Sequence, residues 1–433
     1  LGVLRILIIA DLSQSPAAML ADSVEAFERW SRHAITLLKA GVPDLAVGDL
    51  DGFDAIIIHY SVFVDQEADL PEAARAVLAA SRAIKVVWQQ DEYRNVAGLA
   101  KAITDIRARI VLTCLPPEAV AGVYGSRLGN GPTFLSIYTG YVSDRMLSHK
   151  PSNYTERPVD IGFRGRVYPV WHGRLGVARV RMAREVQSWA QERGLICDIS
   201  VRERDRLYGQ SWTDLLNRSK ATLATESGAN VFDPDGSLPR RVWRFILRHP
   251  LASDIEVADA TFGPLDGLVD YAQISPRLFE AISARSLLLL SPGYYSGVVV
   301  PGRHALSVEP AGANADEIVE TIRDSRHAAD LIEAAYSEIL LRPELHERAF
   351  VRMVDDAIER TVEIPRKHPS PKQETLAKFA GKRRSGRQSA GRRSLSYLTR
   401  AMLDRLPPRA RRFFESLLGL ALFELRKLRR RPQ

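Results

Sequence analysis

Cysteine is nearly absent from this chain: Cys114 and Cys197 are the only two in 433 residues. They are too few and too far apart for a disulfide framework or a cysteine-based zinc site, and they fit a reducing, cytoplasmic compartment. Long apolar runs are also missing, none approaching the ~20 residues that a spanning helix needs. The opening LGVLRILIIADL is expected to be a first strand and its loop rather than a leader. A net basic balance is missing from the body of the chain, despite a net formal charge of +8 overall. Residues 366–433 hold 20 Lys and Arg against 4 Asp and Glu, which leaves 40 and 48 for the first 365 residues. The body is therefore mildly acidic. A specific nucleic-acid reading built on the overall basic balance is misplaced.

What is present is hydrophobic content, 45% of residues, enough for two cores at roughly 100–200 residues per domain. Short apolar runs alternate with amphipathic stretches. Leu4–Ala10, Phe53–His59, Ala83–Trp88, Ile110–Thr113 and Thr133–Ile137 read as strands, with helices over Ser23–Ala40 and Glu72–Ser81. A second series follows: strands at Val159–Arg164, Leu195–Val201, Ala221–Thr225, Ser286–Leu290 and Ala305–Val308. Its helices are expected over Arg174–Arg193, Trp212–Arg218, 240–248, 253–260, 315–323, 327–340 and 348–360. Continuous apolar strands alternating with helices imply parallel sheets covered on both faces. The expected fold class is α/β, two Rossmann-like doubly wound domains with a basic helical tail. The expected boundaries are 1–145 for a first, acceptor-side domain and 159–365 for a second, donor-side domain. A basic disordered linker over 366–396 and a basic amphipathic tail over 397–433 complete the layout.

Polar residues at strand ends are where ligands of such sheets bind. Gly165 and Arg166 end one strand: glycine permits close backbone approach to a phosphate, arginine supplies charge, and an ordinary turn with a surface Arg is the alternative. Glu226, Ser227 and Gly228 end another, as ligand hydrogen-bonding groups or as a helix cap. Arg277 and Glu280 lie three apart in SPRLFEA, either a surface ion pair or a polar fork aimed into a cleft. The loop Tyr294, Tyr295, Ser296, Gly297 is a candidate donor cover or a plain structural loop. In the first half, His59 with Tyr60, and Asp91, follow strands and are candidates for the base that receives an acceptor proton. Thr139 and Gly140 are placed to shape a cleft wall. Asp233-Pro-Asp235-Gly236 superficially suggests a metal motif, but Pro-Asp-Gly is a turn signal and no matched oxygen ligands follow, so no metal is expected.

Four stretches carry a family resemblance: VDIGFRGR at 159–166, CDISVRERDRLYG at 197–209, LATESGANVFDPDGS at 223–237 and QISPRLFEAISARSLLLLSPGYYSGV at 273–298. Together they resemble the second domain of GT-B glycosyltransferases of the broad family-1/family-4 kind, including the CgeB-like bacterial group. The resemblance implies a metal-independent enzyme without a cofactor, its substrate a nucleotide-diphosphate sugar. Glu280 would hold the ribose, with Arg277 and Ser275 near the diphosphate. Related sequences carry an earlier Glu where Ala272 stands here. The implied acceptor is a glycan, a lipid-linked glycan or a protein. A nucleotide-sugar epimerase and a non-catalytic nucleotide-sugar-binding envelope protein are the alternatives.

In the tail, Phe414, Leu417, Leu418, Ala421, Leu422, Leu425 and Leu428 share one helical face, with Arg412, Glu415, Ser416, Arg426, Lys427 and Arg430 on the other and Phe423 an exception. Such a helix suits an anionic membrane surface, placing the protein peripherally at its inner face; partner docking and a solvated basic tail are the alternatives.

Overall fold

The computed structural model describes residues 2–13, 18–38, 45–129, 131–362, 403 and 406–428. The expected linker and the first tail helix lie almost wholly outside these residues. Among the described residues no helix is long and apolar enough to cross a membrane.

The first unit runs β1 (Arg5–Ile9), α1 (Ala18–Trp30), β2 (Ala34–Leu38), β3 (Ala55–Ile58), α2 (Glu72–Ala80), β4 (Ile84–Trp88), α3 (Val96–Ile106), β5 (Ile110–Thr113), α4 (Pro117–Leu128), β6 (Thr133–Ser136) and α5 (Asp144–Leu147). Its six strands are all parallel, in the order β2-β1-β3-β4-β5-β6. Successive residues of β3 and β5 are all buried, which requires cover on both faces because neighbouring side chains point oppositely.

The second unit runs β7 (Val159–Arg164), α6 (Arg174–Glu192), β8 (Cys197–Ser200), α7 (Gln210–Arg218), β9 (Ser219–Ala224), α8 (Leu238–Arg248), α9 (Asp254–Thr261), α10 (Pro276–Ser283), β10 (Leu287–Leu290), β11 (Leu306–Ser307), α11 (Ala315–Arg323), α12 (Ser325–Ala335) and α13 (Glu347–Thr361). The sheet order is β8-β7-β9-β10-β11, again all parallel. A last helix, α14 (Pro408–Leu428), stands apart in sequence. Both sheets thus have the doubly wound layout expected. In each, the strand order reverses beside the first strand, between β1 and β3 and between β7 and β9. The crevice at such a switch point is where ligands of open α/β sheets bind.

Two expectations need correction. The helix expected over Ser23–Ala40 ends at Trp30, and Ala34–Leu38 is an extra strand. The apolar spacing runs on past Trp30, but Asp355 breaks the helix there: its carboxylate accepts from Ser31 Oγ at 2.9 Å and from the Arg32 backbone N–H at 2.9 Å. The second correction concerns α13, expected in the second domain. It returns to the first, burying Phe350, Val351, Val354 and Ile358 in that domain's core. Phe350 anchors it among Phe27, Trp88 and Tyr141, with ring centroids 5.8, 4.8 and 4.7 Å away. The outgoing and returning chains run side by side: the Val142 N–H donates to Leu345 O at 2.8 Å and the Glu347 N–H to Val142 O at 3.0 Å.

Phe350→Ala should therefore cost about 3–5 kcal/mol, the usual range for emptying an aromatic core site. The check is equilibrium denaturation with amide hydrogen exchange: loss of protection should concentrate in β1, β3 and β4 rather than in the second sheet.

Candidate active site

The switch point of the second sheet opens toward the strand ends of the first. The loop after β7 supplies Gly165, Arg166 and Tyr168; the loop after β9 supplies Thr225 and Glu226; α10 begins beside them. Arginines dominate. Arg179, from the second turn of α6, donates Nε to Thr225 Oγ1 at 2.7 Å and Nη2 to Glu226 O at 2.8 Å. Arg277 donates Nη1 to Arg164 O at 2.5 Å and lies 4.9 Å from the Trp212 ring centre. Arg166 and Arg179 each stand 4.6 Å from the Tyr168 ring centre. Among the described residues none of these three arginines has a carboxylate within ion-pair reach. Their partners are carbonyls, a hydroxyl and aromatic rings, which satisfy N–H groups without cancelling charge.

The electrostatics follow from that arrangement. Burial lowers the Arg277 pKa; Glu280 pulls it back up, and the nearby charges of Arg179 and Arg206 lower it further. For Tyr168, burial alone would raise the phenol, but Arg179 and Arg166 outweigh it and bring it down to about 8. His172, packed 4.8 Å from the Tyr168 ring, is lowered to about 4, chiefly by burial and also by Arg166, Arg94 and Arg179. It is therefore neutral at pH 7, and its Nδ1 is buried without a hydrogen-bond partner.

The other anticipated residues take varied places. Asp91 faces this cluster from the first domain. It is part-exposed, accepts from Tyr93 Oη at 3.0 Å and pairs with Arg94 at 2.5 Å, and its field reaches Arg166 and His172. His59 lies in the core instead, fully buried between Ser23 Oγ at 3.1 Å and Ser61 Oγ at 2.9 Å. Burial drops its pKa to about 3. An enclosed, neutral, hydrogen-bonded imidazole cannot reach an acceptor, so His59 is structural here. Tyr60 packs on its ring at a tilt, with centroids 4.0 Å apart.

Arg277 and Glu280 form no surface pair with each other. Glu280 is buried, accepting from Trp212 Nε1 at 2.8 Å and from Arg145 Nη2 of α5 at 3.3 Å. Ser275 precedes α10 without capping it through its side chain. Glu226 accepts the Tyr294 and Tyr295 backbone N–H groups at 3.0 and 2.7 Å; burial pushes its carboxyl up and these two bonds pull it back. The Ser227 N–H is already taken by Gln273 O at 2.7 Å, so it is not available to a ligand. Gly228 is needed for shape: φ is 105° and a Cβ would stand 2.0 Å from Tyr271 O. At Gly165 a Cβ would press to 2.8 Å on the Phe163 ring, so packing already accounts for that glycine.

The 294–297 loop is not an aromatic lid. Tyr295 is wholly buried, its hydroxyl donating to Ser291 O at 2.7 Å, while Tyr294 is exposed. Tyr295, Ser296 and Gly297 all have positive φ, which curls the loop so that Ser296 Oγ accepts the Ile274 N–H at 3.0 Å. Thr139 and Gly140 do line the domain contact: Thr139 donates to Ile274 O at 2.5 Å, and a Cβ on Gly140 would meet Pro276 at 2.9 Å. Asp233 is a turn residue: its carboxylate accepts the backbone N–H groups of Gly236 and Leu238 at 2.9 and 3.0 Å. Among the described residues no His, Cys, Asp and Glu group suits a metal.

Sequence reasoning missed Arg179, Tyr168, His172, Trp212 and Arg145. Arg179 had a usable signal, since the helix after the first strand of a doubly wound domain starts at the switch point. The others had none, because each reaches the cleft from a loop or from a helix face that only folding orients.

No family model matches the chain, and no curated protein matches it. Solved structures align with it at low identity. An alpha-glucosyltransferase in complex with UDP and a 13-mer DNA containing a HMU base aligns with a TM-score of 0.48 and 12% identity, over 82% of this chain and 99% of that one. Alr3699/HepE of Anabaena in complex with UDP-glucose gives 0.45 and 12%, over 83% and 99%. TarM gives 0.41 and 10%, over 70% and 54%. No residue role is carried over from them.

The Tyr168 phenol should titrate near pH 8, a phenolate absorbance step that disappears in Tyr168→Phe. Below that pH the ring is neutral and the arginine charge is uncompensated; above it the phenolate cancels one positive charge. Pyrophosphate binding should accordingly weaken as pH rises through 8, and Tyr168→Phe should flatten the dependence.

Proposed function

We propose that the protein is a metal-independent glycosyltransferase of the GT-B type. It would take a sugar from a nucleotide-diphosphate donor held in the interdomain cleft and place it on a glycan, lipid-linked or protein hydroxyl. One observation carries the reading: Arg166, Arg179 and Arg277 converge at a switch-point crevice with no carboxylate paired to them among the described residues, opposite Asp91 of the other domain. A part-buried cationic cluster of this kind favours a multiply charged anion, and a diphosphate supplies it.

In this reading the arginines and the first turn of α10 stabilise the charge that grows on the leaving diphosphate. Glu280 Oε2 is fixed by Trp212, while Oε1 is shared with the part-exposed Arg145 and is the oxygen a ribose hydroxyl would use. The bond from the anomeric carbon to the diphosphate oxygen breaks. A bond from the acceptor oxygen to that carbon forms. The acceptor proton leaves to the Asp91 carboxylate, which the Tyr93 hydroxyl and Arg94 hold in place. His172, neutral and set beside Tyr168, closes the cluster from the side of the second domain.

A panel of nucleoside diphosphates and sugar nucleotides tests this by thermal shift. A matching nucleotide at 100 times its dissociation constant should stabilise the protein by about 2.7 kcal/mol. Arg179→Ala and Arg277→Ala should each weaken binding about 10- to 100-fold, the worth of a charge-assisted hydrogen bond. Unchanged binding in both would place the nucleotide elsewhere. Asp91→Asn should keep donor affinity and lose turnover; turnover at the wild-type rate would remove Asp91 from the chemistry. Conversion of the sugar nucleotide without any acceptor would instead indicate an epimerase.

A further inference from the structure

α14 docks the wrong way round for a soluble amphipathic helix. Its inner face is made of Arg412, Ser416, Gly419 and Phe423, spaced four, three and four residues apart and so on one side of the helix. Gly419 lies directly on Trp243 of α8, where a Cβ would come within 2.6 Å of the indole. Phe423 meets the same indole edge-on at 6.5 Å and carries Arg240 at 5.5 Å from its ring centre. Arg412 pairs with Asp254 at 2.5 Å and donates to Ala252 O, and Ser416 is buried. The polar, small-residue side is therefore turned inward. The opposite side presents Phe414, Leu417, Leu418 and Leu422, all 40–49% exposed. Leu251 and Ile255, next to the residues Arg412 grips, are exposed as well.

Burying apolar surface is the ordinary reason for an amphipathic helix to dock, and this helix leaves that surface outside. The charge around it names what covers it. On α8, Arg241, Arg244 and Arg248 are exposed at helical spacing, and Arg409 is exposed at the start of α14. The chain from 366 to 433 has a balance of +16 in a protein whose remainder is acidic. An apolar helix face flanked by arginine matches a surface that is apolar within and anionic at its boundary.

We propose that α14 and the arginine row of α8 form a docking surface for an anionic lipid bilayer. The exposed face of α14 enters the headgroup–acyl boundary, and Arg241 and Arg248 meet the lipid phosphates. Because α14 is clamped to α8 through Trp243 and to the start of α9 through Arg412, the second domain would be held in a set orientation at the membrane rather than tethered by a loose tail.

The test is co-sedimentation of the full chain with vesicles of phosphatidylcholine alone and of phosphatidylcholine doped with phosphatidylglycerol. Binding to the anionic vesicles should be at least tenfold tighter and should fall with added salt. Phe414→Glu with Leu418→Glu should reduce it tenfold or more, as should Arg241→Glu with Arg248→Glu. Both double variants alter exposed positions, and an unchanged thermal unfolding midpoint will show that each still folds. Equal binding to neutral vesicles would overturn the proposal. So would full binding by the Phe414/Leu418 variant, which would leave only a diffuse basic tail. Failure to bind vesicles, with concentration-dependent self-association abolished by the same variant, would assign the face to a second copy of the chain instead.

Discussion

Holding part-buried positive charge without a directly paired carboxylate among the described residues is the constraint on which the cleft depends. A guanidinium removed from water loses solvation that only a partner can restore, and like charges held close together raise the cost. Here the N–H groups are satisfied by neutral acceptors: the Arg164 carbonyl for Arg277, Thr225 Oγ1 and the Glu226 carbonyl for Arg179. The charge itself remains, and its pressure shows in two neighbours, Tyr168 drawn down toward phenolate and His172 held neutral. Carboxylates stand near but are engaged otherwise, Glu226 by the backbone of the 294–297 loop and Glu280 by Trp212 and Arg145. Among the described residues, the arginine charge is therefore held in place by neutral acceptors and left without a paired carboxylate.

The architecture that holds this cluster is duplicated. Each sheet is parallel throughout, and each reverses its strand order beside its first strand. That geometry produces a crevice at the carboxyl ends of the strands in either half. Three connections keep the two halves in register. Val142 and the 345–347 segment pass side by side, α13 returns to pack on the first core, and the 233–236 turn lies on the first domain, where the Val96 and Ala97 N–H groups donate to Asp233 O and Pro234 O at 3.0 Å. The Asp-Pro-Asp-Gly stretch that resembles a metal motif is thereby a joint: the Asp233 carboxylate shapes the turn and its carbonyl fastens the neighbouring domain.

Arg145 makes a further link between the halves. It links Asp22 of α1 at 2.9 Å with Glu280 of α10 at 3.3 Å, so one side chain ties the first domain to the corner of the cleft. Shape complementarity is equally tight nearby, since Gly140 leaves no room for a Cβ against Pro276. The position of α10 relative to the first domain is therefore set by direct contact, not by a loose hinge alone.

Local pattern was enough to read the doubly wound units, because fully buried parallel strands are continuous apolar runs such as AIII and LLLL, and their ends are marked by polar residues. It also pointed to Arg166 and Glu226 at strand ends, and the structure places both beside the switch point of the second sheet. It failed where two structures fit one periodicity: Ile35 and Leu38 continue the helical spacing of α1 but lie in β2, and the residue that ends the helix, Asp355, is more than three hundred positions away. It failed again for His59 and Tyr295, strand-end and loop residues that packing from distant segments encloses. Chain order alone determined the alternation of strands and helices, the mild acidity of the body and the basic tail. Tertiary structure alone decided which arginines meet without a carboxylate, which domain α13 joins and which face of α14 is left outside, because each depends on contacts between segments whose separation in sequence carries no local signal.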